Sequence, residues 1–495
     1  MASDVLPLAH LRVAEDSPIR FGTDGWRGII GAEFTFARLQ RAAIAAAWVL
    51  HRTYGQTGSA PIVVGYDRRF MAEHFAAAVA DLLVSAGYEV WLSQVPAPTP
   101  AFSWAVKATQ AIGALVITAS HNPGIYSGLK VKGAFAGSVP PAVTQAIEAQ
   151  LASGEPPPLG RGSQQYFDPW PSYCAALQQQ VNCAPIREAI ATGQLHVYAD
   201  VMHGVAAGGL ARLLGVAIPE FRSDRDPLFG GGAPEPIGRY LQQTQAYLKQ
   251  QPKTAPTVCC VFDGDADRLA VLDGDGQLYT AQEIIPILID HLAQHSPHRG
   301  AVIKSISSSD LITHVAARHG LAVIETPIGF KYIGDRMRAG EPILLGGEES
   351  GGIGYGHHIP ERDALLSALY VLEAMVTSGR SITAYYQDLQ HQTGFYSAYD
   401  RIDVVLQDQQ QRQHLEHLLA TQPPPQVGNS AVVGCTTIDG YKFQLETGGW
   451  LLVRFSGTEP LLRLYCQAPS PPEVQAILSQ MQAWVKAVLA PAAQP

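Results

Sequence analysis

Short runs of β-branched and aliphatic residues alternate along this chain with alanine- and leucine-rich stretches of helical period. That rhythm predicts α/β units with mixed, largely parallel sheets. "FARLQRAAIAAAWVLHRTYG" (36–55) and "MAEHFAAAVADLLVSAG" (71–87) predict helices, each closed by a glycine. "APIVVGYD" and "GYEVWLS" predict the strands around the second helix. Near the carboxyl end, Val474, Ile477, Leu478, Met481, Trp484, Val485 and Val488 form a helical stripe suited to packing on a sheet. The rhythm recurs in the first three segments, with no period short enough for a solenoid.

Four strand-like runs end in polar, glycine-bearing loops: "GALVI" in "TASHNP", "TVCCVF" in "DGDADR", "PILLG" in "GEESGG" and "WLLVR" in "FSGTEP". In open α/β sheets ligands bind outside the carboxyl ends of strands, where loop groups face a cleft. Four such ends predict one composite site.

Each loop carries its own chemistry. "DGDADR" sets Asp263, Asp265 and Asp267 at alternate positions with only Gly264 and Ala266 between, so the carboxylates can converge on a hard cation such as Mg²⁺. Without a cation their mutual repulsion is costly. Arg268 follows, placed for a phosphate oxygen. "DGDG" (273–276) reads instead as a hairpin turn. In "SHNP", Ser120 is a weak nucleophile, useful if a neighbour takes its proton or if it already carries a phosphoryl group. A capping serine is the simpler reading of those four letters; His121, Lys130 and a second lysine in the same stretch favour an anion. Glu348 and Ser350 point the same way in extended chain and suit the vicinal hydroxyls of a sugar, although a helix cap would use them equally well. Arg454, Ser456, Gly457 and Thr458, with Arg463 nearby, make a nest for a phosphate.

At 495 residues the chain is long enough for about three or four domains. With 47% apolar residues there is ample material for their cores. A formal net charge of −9 argues against nucleic acid or an anionic membrane as partner, so an anionic ligand must be held by local cations. The six cysteines are scattered, with Cys259 and Cys260 in an apolar run, which fits core packing and a reducing cytoplasm. No stretch reads as an export signal or membrane anchor. Composition shifts at "SGEPPPLGRG" (153–162) and just before Arg401 suggest seams, and the glutamine-rich "QDQQQRQHLEHLL" reads as a helix with a solvated face.

With the four loops in this order, from "FGTDGWRGIIG" (21–31) to "RFSGTEP" (454–460), the chain resembles the α-D-phosphohexomutases, the family of phosphoglucomutases and phosphomannomutases. The resemblance implies four domains around a central cleft: three related α/β units (1–164, 165–279, 280–396) and an α+β domain (397–495). It implies that Ser120 carries a phosphoryl group and, with Asp263, Asp265 and Asp267, holds one Mg²⁺. Arg27 and Arg268 match positions close to that phosphoserine. Lys130 matches a family lysine and is a candidate general acid/base, its pKa lowered by neighbouring cations. His121 and Lys331 are further catalytic candidates, while Arg362 and Asp363 in "HHIPERDAL" read as helix-capping residues.

The implied reaction converts glucose 1-phosphate to glucose 6-phosphate through glucose 1,6-bisphosphate, which must turn end over end. Glu348 and Ser350 would grip the ring in both orientations, with Arg268 and the Arg454–Thr458 nest on the phosphates. This chain departs from the family pattern at Ser127, usually asparagine, in the stretch with Phe330 and Lys331, where several bacterial phosphomannomutases have a histidine, and at Gly352, where they often have another. The last three are more like phosphoglucomutases. Phosphomannomutase, phosphoglucosamine mutase and glucose 1,6-bisphosphate synthase are the alternatives within the family. Outside it stand an aspartyl phosphatase of the haloacid dehalogenase type using Asp263 and a non-catalytic sugar-phosphate sensor. The expected partners are hexose phosphates alone, and the expected state a monomer or weak homodimer.

Overall fold

Strand Ile62–Tyr66 is buried along its whole length, as an unbroken apolar run covered on both faces requires. In the computed structural model, which describes residues 17–22, 24–55, 60–153, 160–456 and 461–489, it lies inside the first of four sheets. That sheet runs Trp26–Ile29, Tyr126–Gly133, Gly113–Ile117, Ile62–Tyr66, Glu89–Ser93, Ser163–Phe167. Its last four strands are parallel, and Tyr126–Gly133 is antiparallel to both neighbours. Strand Ser163–Phe167 straddles the expected boundary at residue 164.

The second and third sheets repeat the plan. Thr257–Phe262 pairs in parallel with His196–Asp200 and antiparallel with Leu269–Asp273. Ile343–Gly347 pairs in parallel with Ala301–Ser305 and antiparallel with Ile353–Tyr355. The last sheet is antiparallel throughout its six strands and is accompanied by helices Gln409–Thr421 and Pro471–Leu489. Four domains, three α/β and one α+β, therefore stand as the sequence predicts.

The helices obey their local signals. Phe36–Tyr54 starts at Thr35, whose side chain accepts the Arg38 N–H, and ends at Gly55. Ala281–His295 opens with a capping box of Thr280 and Glu283. The carboxy-terminal stripe buries Val474, Ile477, Leu478, Met481 and Val485 against the last sheet. Cys259 and Cys260 are core residues, and Asp273 turns its hairpin by accepting the Asp275 and Gln277 N–H groups. Among the described residues, no helix is long and apolar enough to cross a membrane.

The loaded loops depart from a simple strand-to-helix rhythm. Each of the four returns into an antiparallel strand. They hold between five and eight residues, far short of the dozen or more that a parallel crossover needs. A loop closed by pairing on both flanks is held in place by backbone bonds before its side chains contribute.

Core packing is close where the first sheet meets its helices. A Cβ at Gly65, in the middle of Ile62–Tyr66, would collide with the ring of the fully buried Phe102. Gly65→Ala is therefore expected to lower stability by about 1–3 kcal/mol. Adding Phe102→Leu should recover part of that loss in a double-mutant cycle read by urea unfolding; strictly additive losses would show that the two sites do not collide.

Candidate active site

Ser120 sits in the loop after Gly113–Ile117 with a left-handed backbone (φ 53°), unusual for a residue other than glycine. Its N–H bonds the Thr118 hydroxyl at 2.9 Å. That turn directs Oγ to Asp263 Oδ2 at 3.1 Å and sets it 3.2 Å from His121 Nδ1. Serine and first aspartate thus meet across two domains, as predicted. Gly264 makes the approach possible, since a Cβ there would lie 2.5 Å from the Ser120 carbonyl oxygen. Burial, then Arg268, Arg27, Lys130 and Arg362, holds the His121 pKa well below its usual range, so its imidazole is neutral.

Asp263, Asp265 and Asp267 are fully buried, with oxygens all within 4.8 Å of one another. Asp263 is folded into its own loop, where Oδ1 accepts the N–H groups of Asp267 and Arg268. Burial, then Asp267 and Asp265, raises its carboxyl well above the usual range. Burial also opposes ionisation of Asp265, but Lys130 and the Thr99 hydroxyl, 2.5 Å from Oδ2, outweigh it and lower its pKa. Asp265 Oδ1 and Asp267 Oδ1 are buried without hydrogen-bond partners. Two orphaned oxygens in an all-oxygen donor set, beside a third carboxylate and the serine, suit a hard divalent cation.

Lys130 requires a correction. Its ammonium lies 2.7 Å from Asp24 and 2.9 Å from both Asp265 and Asp267. Burial alone would lower its pKa, as the sequence suggested, but these three carboxylates outweigh burial and raise it. In this arrangement Lys130 is the counter-ion of three carboxylates. Arg362 corrects a second expectation: Asp363 does cap helix Ala364–Ser378, but Arg362 Nη2 bonds Asp24 and Asp267 at 2.7 Å each.

Arg27 and Arg268 border the cluster. Arg27 Nη1 donates to Asn122 Oδ1 at 2.6 Å, and Arg268 Nε, 3.8 Å from Asp267 Oδ1, is buried without a hydrogen-bond partner. The Ser127 hydroxyl, at the position that departs from the family, is also buried and unpartnered.

The loop at 348–352 is joined directly to the aspartate loop. Leu269 N–H donates to Gly351 O at 3.0 Å, and Arg268 bridges Gly352. Glu348 is buried and its Oε1 accepts the Gly329 N–H at 2.7 Å; Ser350 is half-buried. Neither opens a helix of its own, because a strand follows, but Glu348 reaches the N-cap residue of helix Phe330–Arg338 through that bond. Lys331 lies in the first turn of Phe330–Arg338, its ammonium 4.9 Å over the Tyr332 ring, on a separate element from the serine cluster.

Arg454 and Arg463 face each other across adjacent strands of the last domain. Arg454 Nε is 2.9 Å from Asp439 Oδ2, and Arg463 Nε is 3.9 Å from Asp403 Oδ2. Ser456 is buried, its carbonyl accepting from Arg412 at 3.0 Å, whereas Gly457 and Thr458 lie outside the described residues. This face approaches the 348–352 loop: Glu349 is among the charges that raise Arg454 and Arg401.

Sequence reasoning passed over Asp24, Thr99, Arg69 and the ionic role of Arg362. Asp24 stood in the quoted "GTDGWRG", and Arg69 follows the predicted strand 60–67, so the strand-end rule would have found it. The partners themselves come from other domains and leave no local pattern.

Burial, then Glu349, pushes Glu348 up to about 7 from an ordinary value of 4.5. The folded state then holds a proton that the unfolded chain has lost, so stability falls as pH rises through that window. Glu348→Gln should remove this slope, on the order of 3 kcal/mol between those limits, in urea midpoints measured against pH. An unchanged slope would place the titration elsewhere.

Family models described as phosphoglucomutase/phosphomannomutase alpha/beta/alpha domains I, II and III match residues 18–157, 171–276 and 280–393, and the corresponding C-terminal domain matches 404–483. A phosphoglucosamine mutase of Synechococcus elongatus is 30% identical over 470 residues, covering 94% of this chain and 93% of that protein. One from Desulforudis audaxviator is 29% identical over 457 residues, covering 90% and 93%. A solved structure from Thermus thermophilus, provisionally assigned as a phosphomannomutase, has a TM-score of 0.82 at 34% identity and covers 95% of this chain and 99% of that one. Matched in order by four domain models and along nearly its whole length by these relatives, the chain belongs to the phosphoglucomutase/phosphomannomutase family, the α-D-phosphohexomutases.

Proposed function

We propose that this chain moves a phosphoryl group between the C1 and C6 oxygens of a hexose phosphate, with Ser120 as the carrier. The observation that carries this reading is the Ser120 hydroxyl, held 3.1 Å from Asp263 in a buried three-carboxylate cluster. Neither a capping serine nor a sensor needs that juxtaposition.

Phosphoryl transfer asks for alignment and charge neutralisation more than for covalent chemistry. Phosphorylated Ser120 faces the 6-hydroxyl of a hexose 1-phosphate; the new O6–P bond forms as the Oγ–P bond breaks. The hydroxyl proton ends on Ser120 Oγ. His121, neutral and 3.2 Å from that oxygen, is placed to relay it. Mg²⁺ held by Asp263, Asp265, Asp267 and a phosphoryl oxygen would supply charge neutralisation there. Lys130, Arg27 and Arg268 add fixed positive charge around the moving group. The bisphosphate then turns over: Glu348 and Ser350 hold the ring hydroxyls, Arg454, Ser456, Gly457, Thr458 and Arg463 hold the distant phosphate, and Lys331 is a further candidate for phosphate contact.

For the sugar, glucosamine phosphate is the first reading, supported by relatives that are phosphoglucosamine mutases across 90% or more of this chain. Glucose phosphate is the second, favoured by Gly352. A Cβ at that position would overlap the Arg362 side chain, which leaves no room for the histidine found in other members.

A coupled assay with Mg²⁺ and a trace of hexose bisphosphate should show turnover of glucosamine 1-phosphate at least equal to that of glucose 1-phosphate. Faster glucose turnover would select the second reading, and faster mannose turnover would overturn both. Ser120→Ala should lose about a thousandfold or more in kcat. Retained activity would point to an aspartyl phosphatase acting through Asp263. Chelation by EDTA should abolish turnover reversibly, with Mg²⁺ restoring it.

A further inference from the structure

Arg69 is fully buried, and nothing in the reaction above uses it. It follows strand Ile62–Tyr66, the parallel neighbour of the strand that leads into the serine loop. Its guanidinium collects the carbonyls of that loop. Nη2 donates to Ser120 O at 2.6 Å and Asn122 O at 2.7 Å, and Nη1 donates to Pro123 O at 3.0 Å and Tyr126 O at 2.9 Å. The other edge is fixed by Asp67, whose Oδ2 lies 3.2 Å from Nε and whose Oδ1 accepts the Arg69 N–H at 2.9 Å.

We propose that Arg69 is the positioning residue of the phosphoryl carrier, an inference that rests on the phosphoserine reading. Four carbonyls turned inward on one planar cation leave the loop only one way to curl, and Ser120 takes its left-handed turn there. With its carbonyl tied to Arg69, its Oγ meets Asp263. The planar fork suits two pairs of carbonyls at once; a lysine ammonium offers three donors from one point and cannot serve both pairs.

The second domain braces this device from below. The Phe229 ring lies 4.8 Å under the Arg69 guanidinium. Arg225 donates to the Arg68 and Arg69 carbonyls at 3.1 and 2.9 Å, and grips Glu73 with both terminal nitrogens at 2.9 and 2.7 Å. A Cβ on Gly124, in the serine loop, would lie 2.5 Å from Pro227 O, so the two loops are in direct contact. The aim of Ser120 therefore depends on one arginine and on the contact between two domains.

The test uses Arg69→Lys in the full chain and separates aim from binding. Transfer from the phosphorylated enzyme to the preferred hexose 1-phosphate should slow by about 30-fold or more, since a small misplacement of a reacting atom is costly. The Kd for that sugar phosphate should stay within about threefold, because its contacts lie on other loops. The phosphoserine ³¹P resonance should shift or broaden in the variant without any substrate. Transfer within about threefold of wild type, or equal losses of rate and affinity, would overturn the inference. If Arg69→Lys does not fold, Phe229→Leu removes only the ring below the guanidinium. It should slow transfer about fivefold at unchanged Kd, and a wild-type rate there would overturn the inference too. A wild-type enzyme that accepts no phosphoryl group at Ser120 would instead end the mutase reading, before any variant is compared.

Discussion

Burying three carboxylates of one short loop beside each other is the constraint on which this molecule turns. Asp263, Asp265 and Asp267 are removed from water, where each charge would be unfavourable without a partner. The chain answers with cations from elsewhere: Lys130 from the first domain and Arg362 from the third, with Asp24 bonded to both. Lys132 extends the network by pairing with Glu361. Such pairs add little to net stability, because desolvation offsets the attraction, but removing one partner strands a buried charge at a cost of about 3–5 kcal/mol. The network therefore fixes how three domains sit more than it strengthens any one of them. No single domain could carry the site, because none could neutralise its own charges.

The same local device delivers each loop to that junction. A central strand runs to its carboxyl end, a few residues turn, and an antiparallel strand returns. Paired flanks leave the turns little freedom, and some of their residues are held in the left-handed region. Ser120 and Ala266 have positive φ without being glycine, and Gly351 shares that region. A left-handed turn costs an L-residue roughly 1–2 kcal/mol, so it persists only where surrounding bonds demand it. At Ser120 that demand comes from Thr118 above and the buried arginine below.

Local signals were legible in the sequence, and through-space pairing was not. Helix Phe36–Tyr54 ended at its glycine and the carboxy-terminal stripe found its sheet, because period and capping act within a few residues. The loops were legible because polar residues at the end of an apolar run have few other uses, and the aspartate cluster stands where alternate spacing put it. The charge state of Lys130 was not. Its sequence neighbours are a lysine and apolar residues, while the carboxylates that decide it come from residues 24, 265 and 267. Arg362 looked like a cap beside the true cap Asp363 for the same reason.

The fourth domain joins by a different kind of contact, and this bears on how it can hold a phosphate. Ile306 packs with Trp450, Leu452 and Tyr465, an apolar patch flanked by Lys442 on Glu325 and by Gln467 on the Asp310 N–H. The arginines of its binding face are already partly neutralised. Asp439 pairs with Arg454 while also accepting the Ile328 N–H at 3.0 Å, and Glu349, bonded by Ser305 and Ser307, lends its negative charge to the same region. In the role proposed for this face, a phosphate would meet guanidinium groups in competition with carboxylates, so charge alone would hold it less firmly than the arginine count suggests. Because Asp439 also ties the fourth domain to the third and Glu349 belongs to the 348–352 loop, a ligand at the phosphate site proposed here would, by displacing either carboxylate, act on the docking of the last domain and on the proposed ring site together.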